Sequence, residues 1–290
     1  MKRITLLLVL LSGPFLLAAQ DCACLDDLNY AAEQIAEQHP GYSYFSRGRM
    51  AKDYRDGLNA LRAEVSENCN VGAEACASYL NRFFAIIPDK FLRARVEEPE
   101  VFDASTEPAD TTEAPAPRPL TATITPIDTS TALIELSSFG QQYTEELNAF
   151  YAQLDEELDK YWHLVIDLRS NGGGRRTNMH NFMQLLEDDS HELVRIAVLQ
   201  SRRTSSAAEH FLFESRRGLG ARIRTFGQNS YGALAYGGAI PIVTPYFGIQ
   251  FRLPTEVFRR FRPYERVGVE PDVRTPNSSA IEQALGWIKH

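Results

Sequence analysis

Histidine and cysteine are scarce in these 290 residues, six of the first and four of the second. Positive charge is also short. With 30 Lys and Arg against 38 Asp and Glu, the formal net charge is −8, which argues against nucleic acid and anionic membrane surfaces as partners. Only one long apolar run occurs, at 4–17, and it is too short for a comfortable membrane span. Phosphate chemistry lacks its signatures. The glycine run 172–174 is followed by Arg175 and Arg176 instead of Lys-Ser or Lys-Thr, and the dinucleotide spacing GxGxxG is missing. No supporting carboxylate pair marks a carbohydrate enzyme, and no internal repeat is visible. What remains is ordinary globular composition, 44% hydrophobic and 23% charged, with ample length for a core.

The apolar run has a context. Lys2 and Arg3 precede it, and Ala18, Ala19 and Gln20 follow, the order of a secretory leader. Cleavage is expected between Ala18 and Asp21, making 1–20 a signal peptide and the protein periplasmic or extracellular. Asp21 stands where a small residue should precede a lipid-modified Cys22, so a lipoprotein is not expected. Export makes the cysteines interpretable: Cys22 and Cys24 form one cluster, Cys69 and Cys76 another. An even count in an oxidising compartment favours disulfides; a zinc site lacks any His at ligand spacing. Pairing between clusters would tie the N-terminus onto the helical region, but the sequence leaves connectivity open.

Helical periodicity marks a domain at 21–96. Leu28, Ala31, Ala32 and Ile35 repeat at three and four and stop near His39-Pro40-Gly41, and further helices are expected at 50–65 and 73–86. The stretch 97–119, EEPEVFDASTEPADTTEAPAPRP, reads as an acidic, flexible insert. From 120 to 290 the signals alternate: strands at 131–139, 163–169 and 193–201, helices at 142–160, 178–187 and 206–215. That rhythm predicts a largely parallel α/β core, whose sites form at the carboxyl ends of strands.

Two segments sit at such ends. LVIDLRSNGGG closes one strand on bare backbone, and exposed N–H groups there suit an oxyanion hole. Ser205 and Ser206 open a predicted helix, where free amides stabilise a developing anion; the plainer role for either serine is to cap that helix. Together with LQSRRTSSAAEHF, FGQNSYGALA and VGVEPDV, in that order, they resemble the signatures of the tail-specific, or C-terminal-processing, serine peptidases, tricorn-like members included. The likeness runs over roughly 120–275, and EQHPGYSYF is similar to the helical region of secreted bacterial members. The resemblance implies a crotonase/Clp-protease-like α/β core with a small N-terminal helical domain; there is no room for the PDZ domain that many members carry. It also implies Ser206 as nucleophile, Gly172, Gly173 and Ala207 as oxyanion hole, and Glu209 as a supporting carboxylate. Neither metal nor organic cofactor is implied, and the partner is a peptide or an unfolded protein C-terminus.

The base is where the likeness stops. Serine needs one to become nucleophilic at neutral pH. The family's lysine position reads Ala233 here, and its histidine position reads Phe91 in FFAIIPDKFLRARV. Glu265 matches the acid that would orient that histidine. His210, four residues after Ser206, shares its helix face but is expected to face solvent; His39 is expected at a helix end, and Lys90 is a further candidate. None of these is assigned as base. Two expectations therefore stand: a secreted serine peptidase with an acyl-enzyme mechanism, or a catalytically silent homologue that binds peptide or protein.

Overall fold

A computed structural model of the chain describes residues 22–96 and 119–290. The expected leader at 1–20 and the expected insert at 97–119, Pro119 excepted, lie outside the described residues.

Four helices come first: α1 (Ala23–Gln38), the one-turn α2 (Tyr42–Phe45), α3 (Ala51–Glu67) and α4 (Ala73–Ile86). In α1 the apolar face Leu28, Ala31, Ala32 and Ile35 is buried, as its spacing requires. It meets Leu58, Leu61 and Val65 of α3 and Leu80, Phe83 and Phe84 of α4 in one cluster. Two disulfides, Cys22–Cys69 and Cys24–Cys76, join the start of the described chain to this unit. The pairing the sequence leaves open thus runs between the clusters. Each cross-link stabilises by about 2–4 kcal/mol, chiefly by restricting the unfolded chain.

The second half is built on a sheet. Its strands are β1 (Ala122–Pro126), β2 (Thr131–Leu136), β3 (His163–Asp167), β4 (Arg195–Gln200) and β5 (Ile223–Gly227). After them come β6 (Tyr236–Gly237), β7 (Ile240–Val243), β8 (Gln250–Leu253), β9 (Glu256–Val257) and β10 (Val273–Arg274). Strands β1-β2-β3-β4-β5-β10 form one sheet in that order, parallel from β2 onward, with β1 antiparallel at the edge. Helices α5 (Thr144–Leu158), α6 (Arg176–Glu187) and α7 (Ala207–Leu219) connect the parallel strands, and α8 (Ala280–Lys289) ends the chain. Strand alternation sorts the two faces. Leu164 and Ile166 join Leu154, Phe182 and Phe211 on the α5–α7 side. Val165, Ala197 and Leu199 meet Ala280, Ala284 and Ile288 of α8 on the other. This is the expected α/β core with an N-terminal helical region.

One element changes sides. The β7–β8 hairpin lies within 120–290 yet lends Ile242, Phe251 and Leu253 to the helical unit's core. Buried Asp27 of α1 receives the Thr244 hydroxyl at 2.7 Å and the Tyr246 and Phe247 amides at 2.9 and 3.0 Å. Among the described residues no helix is long and apolar enough to cross a membrane.

Candidate active site

Parallel register places three loops on one sheet edge, since Asp167 pairs with Leu199 and Gln200 with Gly227. The loops are then stitched together. Thr204 donates its hydroxyl to Leu168 O at 2.8 Å, Ser205 its amide to Asn171 O at 3.0 Å, and Tyr231 its amide to Thr204 O at 2.8 Å. Buried Asn171 is the knot: its Nδ2 donates to Leu136 O at 3.0 Å, and its Oδ1 accepts the Gly173 amide at 2.9 Å.

The glycine run now has a physical reason. Gly173 has φ +92, and a Cβ there would stand 2.6 Å from Ser206 Cβ and 2.9 Å from Ala207 N. Only bare backbone can approach that closely. Gly174, at φ +136, meets the backbone of Phe139 and Gly140 in the same manner, whereas Gly172 is exposed and faces open space. Of the three residues expected to supply an oxyanion hole, Gly173 and Ala207 lie against Ser206. The Gly173 amide is engaged by Asn171, and the Ala207 amide belongs to the first helical turn, where N–H groups lack intrahelical partners.

Ser206 is the N-cap of α7 with φ 55 and ψ −121, a conformation that costs a residue with a side chain about 1–3 kcal/mol. Glu209 holds it there. One carboxylate oxygen accepts the Ser206 and Ala233 amides, both at 2.9 Å. The other accepts the Gly232 amide at 2.6 Å and the Ser230 hydroxyl at 2.5 Å. Burial pushes the Glu209 carboxyl above its ordinary value, and the four donors work against that.

Phe91 and Ser206 line one cavity of about 270 Å³, with Tyr236 and Arg252 among its other walls. No side chain among the described residues hydrogen-bonds Ser206 Oγ. The other side chains considered from sequence are each held by contacts elsewhere, although the buried His210 Nδ1 has no hydrogen-bond partner among the described residues. His210 is a correction: it does not face solvent but is buried, donating Nε2–H to Leu234 O at 2.8 Å and stacking on Phe261 at 4.4 Å. Burial pulls its pKa down to about 4. The ring is covered by Phe258 and Phe261, which arrive from far along the chain. His39 does end α1; its Nδ1 accepts the Gly41 amide at 2.9 Å, so Nε2–H donates to buried Asp89 at 3.1 Å. Lys90 donates its amine to Tyr231 O over the Tyr231 ring, and burial lowers its pKa. Ala233 is fully buried. Among the described residues no three His, Cys, Asp or Glu converge as a metal site.

Glu265 supports the site at one remove. Its carboxylate accepts the amides of Lys90 at 2.9 Å, Leu234 at 3.0 Å and Ala235 at 2.8 Å, fixing the loops that flank Phe91 and Ala233. Burial, with Asp89 nearby, raises its pKa from 4.5 to about 7. In that window the folded state holds a proton the unfolded state has released, so stability falls as pH rises from 4.5 to 7. We expect a loss of about 1–3 kcal/mol across it, which Glu265→Gln removes. Urea unfolding of both proteins along a pH series measures the difference; parallel curves would refute the assignment.

Sequence reasoning missed Asn171 as an anchor, Asp89 and His39 as supports of the Phe91 loop, and Arg252 as a wall. Arg252 carried a usable signal, the alternation of Ile249, Phe251 and Leu253, which marks a half-buried strand. The others depend on contacts between distant segments.

Comparison with known proteins bears on this geometry. Residues 130–195 match the model of peptidase family S41. A lipoprotein from Streptococcus agalactiae has the same fold at TM-score 0.54 and 15% identity, over 92% of this chain and 96% of that one. A candidate peptidase from Parabacteroides merdae gives TM-score 0.57 at 15% identity, over 92% and 97%. No curated protein matches the chain. The segment 130–195, which includes the glycine run, is thus similar to peptidase family S41, and the whole chain shares its fold with these two solved structures.

Proposed function

We propose that the protein is exported and binds peptide chains, or the C-termini of unfolded proteins, on a peptidase scaffold that no longer hydrolyses them efficiently. One observation carries this reading: the cavity at Ser206 is shared by Phe91, at the position where the resemblance calls for the histidine base. A serine hydroxyl without a base is a poor nucleophile at neutral pH, and loss of one member of such a set leaves only residual catalysis. Two disulfides fit an oxidising compartment.

A second reading, a working serine peptidase forming an acyl-enzyme on Ser206, is favoured by the strained backbone at that residue. Binding alone does not need a serine held at positive φ. The two readings separate in one experiment. Intact mass after treatment with a fluorophosphonate is expected to show unmodified wild-type protein, and a library of unstructured peptides is expected to be bound but returned uncut. Labelling of the wild type that vanishes in Ser206→Ala would establish the peptidase instead.

A further inference from the structure

In a chain of net charge −8, cations gather beside the Ser206 cavity. Residues 92–96 run along β8, where Arg95 and Gln250 exchange two backbone hydrogen bonds of 2.8 Å. Leu92 and Ala94 turn inward while Arg93 and Arg95 are exposed, the alternation of an extended chain. Arg252 is exposed on β8 in the same way, between buried Phe251 and Leu253. With Lys90, these three arginines line a groove of about 780 Å³ whose wall contains no carboxylate. Phe91 and Arg252 belong to both this groove and the Ser206 cavity, so the two adjoin across these side chains.

Two of the cations are held in place without being neutralised. Arg93 reaches the Tyr231 hydroxyl at 3.3 Å, and the Lys90 amine sits 3.7 Å from the centroid of the same ring. Arg93, Arg95 and Arg252 make no ion pair among the described residues. Like charges gathered in a cleft repel one another and focus a positive potential there. A ligand bearing negative charge relieves that repulsion.

We propose that the groove takes an acidic peptide, its Asp and Glu carboxylates pairing with Arg93, Arg95 and Arg252 as the chain runs on to the Ser206 cavity. The proposal rests on the reading of that cavity as a peptide site. Exposed pairs are individually weak, but three together favour an acidic ligand by roughly tenfold at low salt, an advantage that salt screens.

The test is fluorescence anisotropy with a labelled Glu/Asp-rich peptide and its Gln/Asn counterpart, at low and high salt, on the wild type and on Arg93→Gln/Arg95→Gln/Arg252→Gln. The chain's own seven acidic residues between 97 and 113 follow Val96 directly. The titration is therefore repeated with those seven changed to Gln or Asn, so that self-competition cannot mask binding. We expect roughly tenfold tighter binding of the acidic peptide at low salt, lost at high salt and in the arginine variant. Equal binding of the two peptides would overturn the charge preference and leave the peptide reading standing. Failure of both peptides to bind either protein would overturn both.

Discussion

Phe91→His is expected to turn an unreactive serine into one that labels with a fluorophosphonate, raising the rate by about 10²–10⁴-fold. The loop that would carry the imidazole is already fixed. The Phe91 amide donates to Asp89 Oδ1 at 2.8 Å, the neighbouring Lys90 amide to Glu265 Oε1 at 2.9 Å, and the other Asp89 oxygen is held by His39. Arg266 clamps the approach to this loop by donating to the carbonyls of Phe84, Ala85 and Ile87 at the end of α4. Position 91 itself is 40% exposed, so the exchange perturbs stability by no more than about 0.5 kcal/mol. On the proposed reading the Ser206 backbone, the Ala207 amide and the close approach of Gly173 are in place, and the group to be supplied is the proton acceptor. Phe91→Leu, which removes the ring without supplying a base, is expected to stay unlabelled, and adding Ser206→Ala to Phe91→His to abolish labelling. A folded but unreactive Phe91→His protein would show that the deficit lies in the oxyanion site, with the Gly173 amide tied to Asn171 as the first suspect.

What could be read from the chain in advance follows from where each signal resides. The faces of α1, α3 and α4 are periodic within themselves, so Leu28, Leu58 and Leu80 are found in the core without knowledge of their partners. The same holds for β2, β3 and β4, whose apolar runs alternate with helices. Strand β10, two residues long, has no periodicity to read and exists because Val273 pairs with Phe226. Glycine at 173 was legible as a demand for bare backbone, and Ser206 as a helix start beside it. His210 was not, because its burial depends on Phe258 and Phe261, which are about fifty residues away in sequence and 4.9 and 4.4 Å away in space. Disulfide pairing was closed to sequence for the same reason. The hairpin's allegiance to the helical unit turns on Asp27, an acid on a helix whose burial is understandable only once three donors from 244–247 surround it. Local pattern thus located the strands and loops around Ser206, while long-range contacts decide what each titratable group does there.

Glu209→Ala is expected to cost about 3–5 kcal/mol, which for a chain of this size lowers Tm by roughly 10 °C. The carboxylate is wholly buried, and its oxygens divide four donors evenly: Ser206 and Ala233 amides on one, the Gly232 amide and Ser230 hydroxyl on the other. Alanine leaves those donors facing a void, each forfeiting about 1–3 kcal/mol unless water enters or the loops move. Glu209→Gln tests the charge and the geometry separately. It keeps one acceptor oxygen but turns an NH2 group toward two donors, so it too destabilises, and to a comparable degree. Ser230→Ala removes one donor from Glu209 and also the acceptor of the buried Val269 amide at 2.7 Å, and costs about 2 kcal/mol. Thermal unfolding of the three variants measures the series. A second readout distinguishes a general packing loss from release of the site. Ser206 is held at φ 55, and Glu209 is the side chain that grips its amide; without that grip the residue relaxes toward an ordinary N-cap. In a Phe91→His background, Glu209→Ala should therefore lose fluorophosphonate labelling at temperatures where the protein is still folded. Labelling that persists in that folded variant would mean that Gly173 and the first turn of α7 hold the serine in place, and that Glu209 serves only to join the 230–233 loop to the helix.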